Sequence, residues 1–177
     1  MATSKFIKAI VKGDPRARKQ LYEQYKIPFF MICLRYGRDR SEAEDMLQEA
    51  FMVIFKDIGQ YAGKGNFEGW MKRVVVNAAL RYLRKWKRSI IALEDYVEED
   101  TFVAEESYNS QLSLQELTQM IQQLPVGYRT VFNMYVIDGY THKEISTYLN
   151  ISEGTSKSQL SKARKLLRTM LEQQLSH

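Results

Sequence analysis

The sequence predicts an all-α chain of two small helical domains joined by an acidic linker. Apolar residues recur with the 3.6-residue period through nearly every long segment, and no alternating strand pattern survives beside them. Capping residues stand where these periods begin, and glycines where they stop. Charge falls in blocks: residues 1–88 carry 19 Lys and Arg against 9 Asp and Glu, residues 89–110 carry 7 acids and no base, and residues 111–177 carry 7 bases and 5 acids. The helical period is lost across the acidic block, so the domains are expected at 1–88 and 111–177, with 89–110 as the linker.

Each element has its own signal. Residues 3–12 form a short amphipathic helix with Phe6, Ile7, Ile10 and Val11 inward, closed by Gly13. Asp14-Pro15 is an N-cap followed by proline at the first helical position. The helix it opens runs to about Tyr36, with Leu21, Tyr22, Tyr25, Phe29, Ile32 and Cys33 inward. Pro28 is expected to kink or split it, and Gly37 to end it. Ser41 and Glu44 have the spacing of a capping box for a third helix, which buries Ala43, Met46, Leu47, Ala50, Phe51 and Ile54. Its other face shows Asp45, Gln48, Glu49 and Lys56, an acidic surface inside a basic block. Phe67 to Arg88 reads as one long helix, rich in cations, with Trp70, Asn77, Arg81 and Arg84 on one side. After the linker, a helix resumes through Leu114, Leu117, Met120, Ile121 and Leu124. A turn over 124–128 leads into Tyr128–Ile137.

The last segment, 141–168, carries the strongest local signal. Thr141 and Glu144 form a capping box for a short helix bearing Ile145, Tyr148 and Leu149. Asn150-Ile151-Ser152 breaks it, and Ser152 caps a second helix. There Leu160, Ala163, Leu167 and Leu171 make an apolar stripe opposite Lys157, Ser161, Arg164, Lys165 and Arg168. Two short helices joined by a three-residue turn, the second basic outside, read as a helix-turn-helix whose second helix enters a DNA major groove. The plainer alternative is an αα-hairpin with a solvated charged face.

Composition narrows the chemistry. Cys33 is the only cysteine and there are two histidines, too few for an internal disulfide or a zinc site, and no cofactor is expected. No apolar run approaches a membrane span, and Lys5, Lys8 and Lys12 break the N-terminus, so the expectation is a cytoplasmic protein without membrane insertion. The loop 59–66 resembles a phosphate loop only superficially. Its glycine–lysine spacing is one residue short, and Gly65 stands where a magnesium-binding hydroxyl is needed. Tyr61, Lys64, Phe67 and Trp70 instead mix aromatics with a cation, a combination that stacks and clamps single-stranded bases. No nucleophile–base constellation is present, which points away from an enzyme and from a small-molecule substrate.

Taken together and in order, several segments resemble the extracytoplasmic-function (ECF) group of sigma-70-type RNA polymerase sigma factors. In the first domain these are Asp45-Met46-Leu47-Gln48-Glu49-Ala50-Phe51, Phe67-Glu68-Gly69-Trp70-Met71, Val76-Asn77-Ala78-Ala79 and Tyr82-Leu83-Arg84. In the second they are Leu124-Pro125, Tyr128-Arg129, Val131-Phe132, Gly139-Tyr140-Thr141, Glu144-Ile145, Glu153-Gly154-Thr155 and Lys162-Ala163-Arg164. The resemblance implies a region 2 bundle at 1–88 that docks on core RNA polymerase through Asp45, Gln48 and Glu49. It implies melting and capture of the single-stranded −10 element by Tyr61, Lys64, Phe67, Trp70, Arg73, Asn77 and Arg81. It implies a region 4 helix-turn-helix that reads the duplex −35 element through Lys157, Ser158, Ser161, Lys162, Arg164 and Lys165. The acidic linker would thread the polymerase channel, and an anti-sigma factor would hold the protein inactive. The chain departs from many members in having Ser156 after Gly154-Thr155, and Lys157 and Gln159 where arginines are common. Lysine holds phosphate but lacks the bidentate fork that arginine offers guanine.

Two other readings explain less. A regulator binding duplex DNA alone accounts for 141–168 but leaves the acidic helix, the aromatic loop and the linker without work. A helical adaptor that binds only protein leaves both basic helices idle.

Overall fold

A computed structural model describes residues 4–61, 65–87 and 113–175. The chain divides into two compact units, one reaching to Ala92 and the other starting at Leu93. The acidic linker lies outside the described residues, as does Lys64. Among the described residues all regular structure is helical.

The first unit contains α1 (Ser4–Val11), α2 (Pro15–Tyr36), α3 (Arg40–Asp57), a 3₁₀ turn (Ile58–Gln60) and α4 (Phe67–Lys87). Asp14 caps α2 as expected: its Oδ1 accepts from the amides of Arg16 and Ala17 at 2.8 and 3.3 Å. Pro28 neither splits nor ends α2, which continues to Tyr36. Gly37 closes it in an ordinary extended conformation. Glycine is needed there for space, because a Cβ would stand 3.2 Å from the Ala43 amide nitrogen and the Asp39 carbonyl oxygen.

The capping box expected at Ser41 and Glu44 does not form. Asp39, two residues earlier, takes the cap by accepting from the Glu42 amide at 2.9 Å. A carboxylate there captures the orphan amides first, so Ser41 falls inside the first turn. Glu42 reaches back to accept from the Arg38 amide and Nε, while Glu44 pairs with Arg40. Every expected core residue of α3 is buried. Phe51 is central: its ring lies 4.8 Å from that of Tyr22 and 5.8 Å from that of Phe29. The remaining wall comes from α4, through Met71, Val75, Val76, Ala78, Ala79, Leu80 and Leu83. Burying this much apolar surface, at about 25 cal/mol per Å², drives the packing of α3 between α2 and α4. Val11, expected inward, is half exposed.

The second unit contains α5 (Leu114–Gln123), α6 (Val126–Phe132), a π-turn (Asn133–Ile137), α7 (His142–Leu149) and α8 (Glu153–Leu175). Its core joins Met120, Ile121 and Leu124 to Ala163 and Leu167. Two of the expected inward residues of α5 face out: Leu114 is 80% exposed and Leu117 is also exposed. Only the C-terminal half of α5 meets the core, where Met120 and Ile121 are buried. A reciprocal Ser113–Glu116 capping box fixes its start. The turn expected over 124–128 shrinks to Leu124-Pro125, because α6 already begins at Val126.

The helix-turn-helix forms as expected. Thr141 Oγ1 accepts from the Glu144 amide, and the Glu144 carboxylate accepts from the Thr141 amide at 2.8 Å. Asn150 ends α7 in the left-handed region (φ 55°), a conformation asparagine tolerates better than most residues. Ser152 Oγ then accepts from the Thr155 amide at 2.9 Å and caps α8. The π-turn was not foreseen. The Asp138 amide reaches the Asn133 carbonyl five residues back, and the widened turn leaves Tyr135, Val136 and Ile137 exposed.

Candidate nucleic-acid interface

The N-terminal end of α4 gathers aromatic rings. Phe67 and Trp70 stack at 5.9 Å, and Tyr61 meets them at 5.1 and 5.8 Å. Tyr61 is fixed by its hydroxyl, which donates to the Gly65 carbonyl at 2.7 Å. Asn66 starts the helix by accepting from the Glu68 amide. Phe67 is buried, whereas Tyr61 and Trp70 are partly open. Arg73, Asn77 and Arg81 follow Trp70 at steps of 3, 4 and 4 along the helix, so they continue its face. Arg73 and Arg81 are exposed. Asn77 Oδ1 is buried with no hydrogen-bond partner among the described residues. Such an acceptor costs about 1–3 kcal/mol until a donor meets it.

The acidic face of α3 is divided. Asp45 accepts from the Tyr82 hydroxyl at 3.2 Å, and Glu49 lies 3.6 Å from Arg81 Nε. These carboxylates therefore sit on the seam with α4. Gln48 is exposed and borders a groove of about 640 Å³ between α2 and α3, lined by Tyr22, Ile27, Phe30, Met52 and Phe55. Ile27 and Met52 are 67% and 68% exposed. Periodicity alone does not reveal this groove, because Ile27 and Met52 lie beside the buried stripes rather than in them.

On α8, Lys157, Arg164 and Lys165 are exposed, and Ser158, Ser161 and Lys162 are partly so. Lys157, Ser161, Arg164 and Lys165 border a recess of about 520 Å³ whose opposite side is Tyr135 and His142. Ser158 and Lys162 turn away from it around the helix, and the Ser158 hydroxyl donates to the Thr155 carbonyl. The six residues thus form a broad basic band in which four border the recess. Gln159 leaves this band: its side chain packs on Gly127 of α6, where an added Cβ would stand 3.3 Å from it.

Ser156 explains one departure noted in the sequence. It is fully buried, and its hydroxyl lies 2.9 Å from His142 Nδ1. A polar pair thereby ties the start of α8 to the start of α7. The His142 ring also stacks on Tyr135 at 4.3 Å. Burial first, then the nearby Lys157, holds the His142 pKa below its ordinary value. The other unusual group, Cys33, is buried in the first unit, and burial pushes its thiol up to about 12, which leaves it unreactive. Among the described residues no His, Cys, Asp and Glu are grouped to hold a metal, and no helix is long and apolar enough to cross a membrane.

A capped helix-turn-helix with a cation-lined second helix defines a DNA-binding protein of the transcription apparatus, and sequence comparisons say which kind. The sigma-70 region 2 family matches residues 21–89, and sigma-70 region 4 matches residues 114–167. The chain is 30% identical to the ECF RNA polymerase sigma factor SigW of Bacillus subtilis, over 97% of this chain and 97% of that one. It is 31% identical to SigM of the same organism, over 85% of this chain and 93% of that one. It is also 27% identical to the ECF sigma-E factor of Escherichia coli, over 91% and 90%. Two solved structures share the fold. They are RpoE of Bartonella quintana, in complex with the anti-sigma factor NepR (TM-score 0.53, 20% identity, 87% of this chain and 96% of that one), and CnrH, in complex with the cytosolic domain of CnrY (TM-score 0.51, 17% identity, 97% and 98%). The chain belongs to the ECF RNA polymerase sigma factors. It therefore acts with core RNA polymerase to direct promoter recognition and melting at transcription initiation, and carries no catalytic reaction of its own.

Proposed function

We propose that the two units divide the promoter between them. Residues 1–88 dock on core polymerase and capture the single-stranded −10 element, residues 111–177 read the duplex −35 element, and 89–110 is the acidic connector. The observation that carries this reading is the α4 face, where the Tyr61–Phe67–Trp70 cluster runs into the Arg73–Asn77–Arg81 row. Unstacked bases need aromatic faces, each worth about 1–3 kcal/mol per base, and cations for the displaced backbone. The unsatisfied Asn77 Oδ1 is an acceptor awaiting a donor such as a base amine. Lys64 belongs to this set by its place in the sequence.

For docking on core polymerase, Gln48 is the most available of the three α3 residues, beside an open apolar groove. Asp45 and Glu49 contribute from the seam with α4, and Arg81 must exchange Glu49 for DNA to act on the −10 strand. The −35 set of Lys157, Ser158, Ser161, Lys162, Arg164 and Lys165 rests on the basic band of α8. Two structural relatives are complexes with anti-sigma or cytosolic partner domains, and this chain is proposed to have an anti-sigma partner too. Acting on promoters places it in the cytoplasm.

Run-off transcription tests the reading. Purified chain is added to sigma-free core polymerase, with the region upstream of its own gene as template. A discrete transcript that depends on the chain, and is lost in Trp70→Ala, is expected. A transcript unchanged by Trp70→Ala, Arg73→Ala and Asn77→Ala would remove the −10 assignment.

A further inference from the structure

The recess on α8 holds more than the −35 set requires. Arg168 closes its far end and is only partly exposed, with its guanidinium beside the cavity rather than on an open helix face. Lys157, Arg164 and Arg168 succeed one another at steps of 7 and 4, which puts them in one row about 16 Å long at the 1.5 Å rise of a helix. Four cations line the recess against a single carboxylate, Glu172. Among the described residues none of these three forms an ion pair. The opposite wall is the Tyr135–His142 stack, presented by the π-turn and the start of α7. The positive charge is therefore walled in, where a partner anion is screened less than on an open surface.

We propose that this recess seats a backbone phosphate of duplex DNA, held by Lys157, Arg164 and Arg168 against the Tyr135–His142 wall. The proposal rests on the reading of α8 as the −35 helix and adds Arg168 and His142 to it. Phosphate contacts fix the register of a recognition helix without reading sequence. Arg168 is then a backbone clamp, and base selection stays with the N-terminal part of α8. His142 positions the site through Ser156, since the 2.9 Å contact between them sets how α7 and α8 meet.

The wall also responds to its occupant. The charged and titratable groups facing His142 are Glu153, Lys157 and Arg164 from α8 and Tyr135 from the π-turn. In the free protein, burial and the two cations favour neutral imidazole, and only Glu153 opposes them. A phosphate in the recess adds negative charge and raises the His142 pKa in the complex above that of the free protein. DNA binding therefore takes up a proton, and affinity climbs as the pH falls through the pKa of the complex.

The test is fluorescence anisotropy of the full-length chain on a mixed-sequence 30-base-pair duplex, across a salt series and at pH 6 to 8. Arg168→Ala is expected to weaken binding severalfold and to lower the slope of log K against log salt by about 0.9, the loss of one phosphate contact. Arg168→Lys should restore the slope, and circular dichroism checks that each variant folds. His142→Gln should remove the rise in affinity at low pH. A slope unchanged by Arg168→Ala, with a fall in Lys162→Ala, would overturn the recess and leave the −35 reading standing. A slope unchanged in both variants would overturn both. Saturable binding of inorganic phosphate that Arg168→Ala abolishes, with no change in the duplex slope, would make the recess a small-anion site and overturn the DNA clamp.

Discussion

On α4 the exposed cations Arg73 and Arg81 share their face with Tyr61 and Trp70, whereas on α8 Lys157, Arg164 and Lys165 share theirs with the hydroxyls of Ser158 and Ser161. The difference follows from what each face has to meet. In a duplex the base faces are already stacked on one another, so an aromatic ring gains little there, and recognition falls to hydrogen bonds at base edges and ion pairs to phosphate. In a melted strand the faces are open, and a ring can replace the lost stacking. The supports differ as well. The rings of α4 are held by each other and by the Tyr61–Gly65 hydrogen bond, while the cations of α8 are held by caps and by the His142–Ser156 tie.

The sharpest way to break the contrast is at Trp70. Trp70→Ala should reduce open-complex formation by roughly 5- to 150-fold, the equivalent of ~1–3 kcal/mol of stacking, while duplex binding stays within about twofold. Permanganate reactivity of promoter thymines measures it, and Trp70→Phe should keep most of the activity. Next in size, Lys162→Ala or Arg164→Ala should each flatten the salt dependence of duplex binding by about 0.9 and leave melting at saturation unchanged. A salt series of holoenzyme binding checks this. A smaller effect separates the two ends of the acidic face: Gln48→Ala should weaken binding to core polymerase more than Asp45→Ala, whose carboxylate is already engaged by Tyr82. Affinity for labelled core polymerase decides it, and equal losses would move docking to the seam.

The smallest effect is on stability. The His142 pKa is lowered in the folded chain, so the unfolded chain binds more protons as the pH drops below the ordinary histidine value. Stability of the second unit should therefore be full above about pH 7 and decline as the pH falls through that value. His142→Gln should flatten the decline in urea unfolding monitored between pH 5 and 8.

The parts legible in the sequence were those set by local rules. The core of α3 followed from its period, and the Thr141–Glu144 box from its spacing, because both depend on residues within one or two turns. The box at Ser41 failed because Asp39 competed for the same amides, and nothing in the spacing ranks the two. Leu114 and Leu117 have a flawless period but meet no partner, since a period shows that a face exists and not what covers it. The π-turn, the Tyr135–His142 stack and the Arg81–Glu49 approach depend on how elements meet in space. The chosen residues of α4 shared one face because helix geometry fixes that, and the assignment of Asp45 and Glu49 to the seam required the position of α4.

The central claim is that melting and duplex reading belong to separate faces. It is tested most directly by assembling holoenzyme with Trp70→Ala and with Lys162→Ala, and measuring promoter occupancy and permanganate reactivity on the same template. The account predicts that Trp70→Ala keeps occupancy and loses reactivity, and that Lys162→Ala loses occupancy but recovers full reactivity once saturated. If both variants lose both signals in proportion, or if the pattern is reversed, the division of labour is wrong.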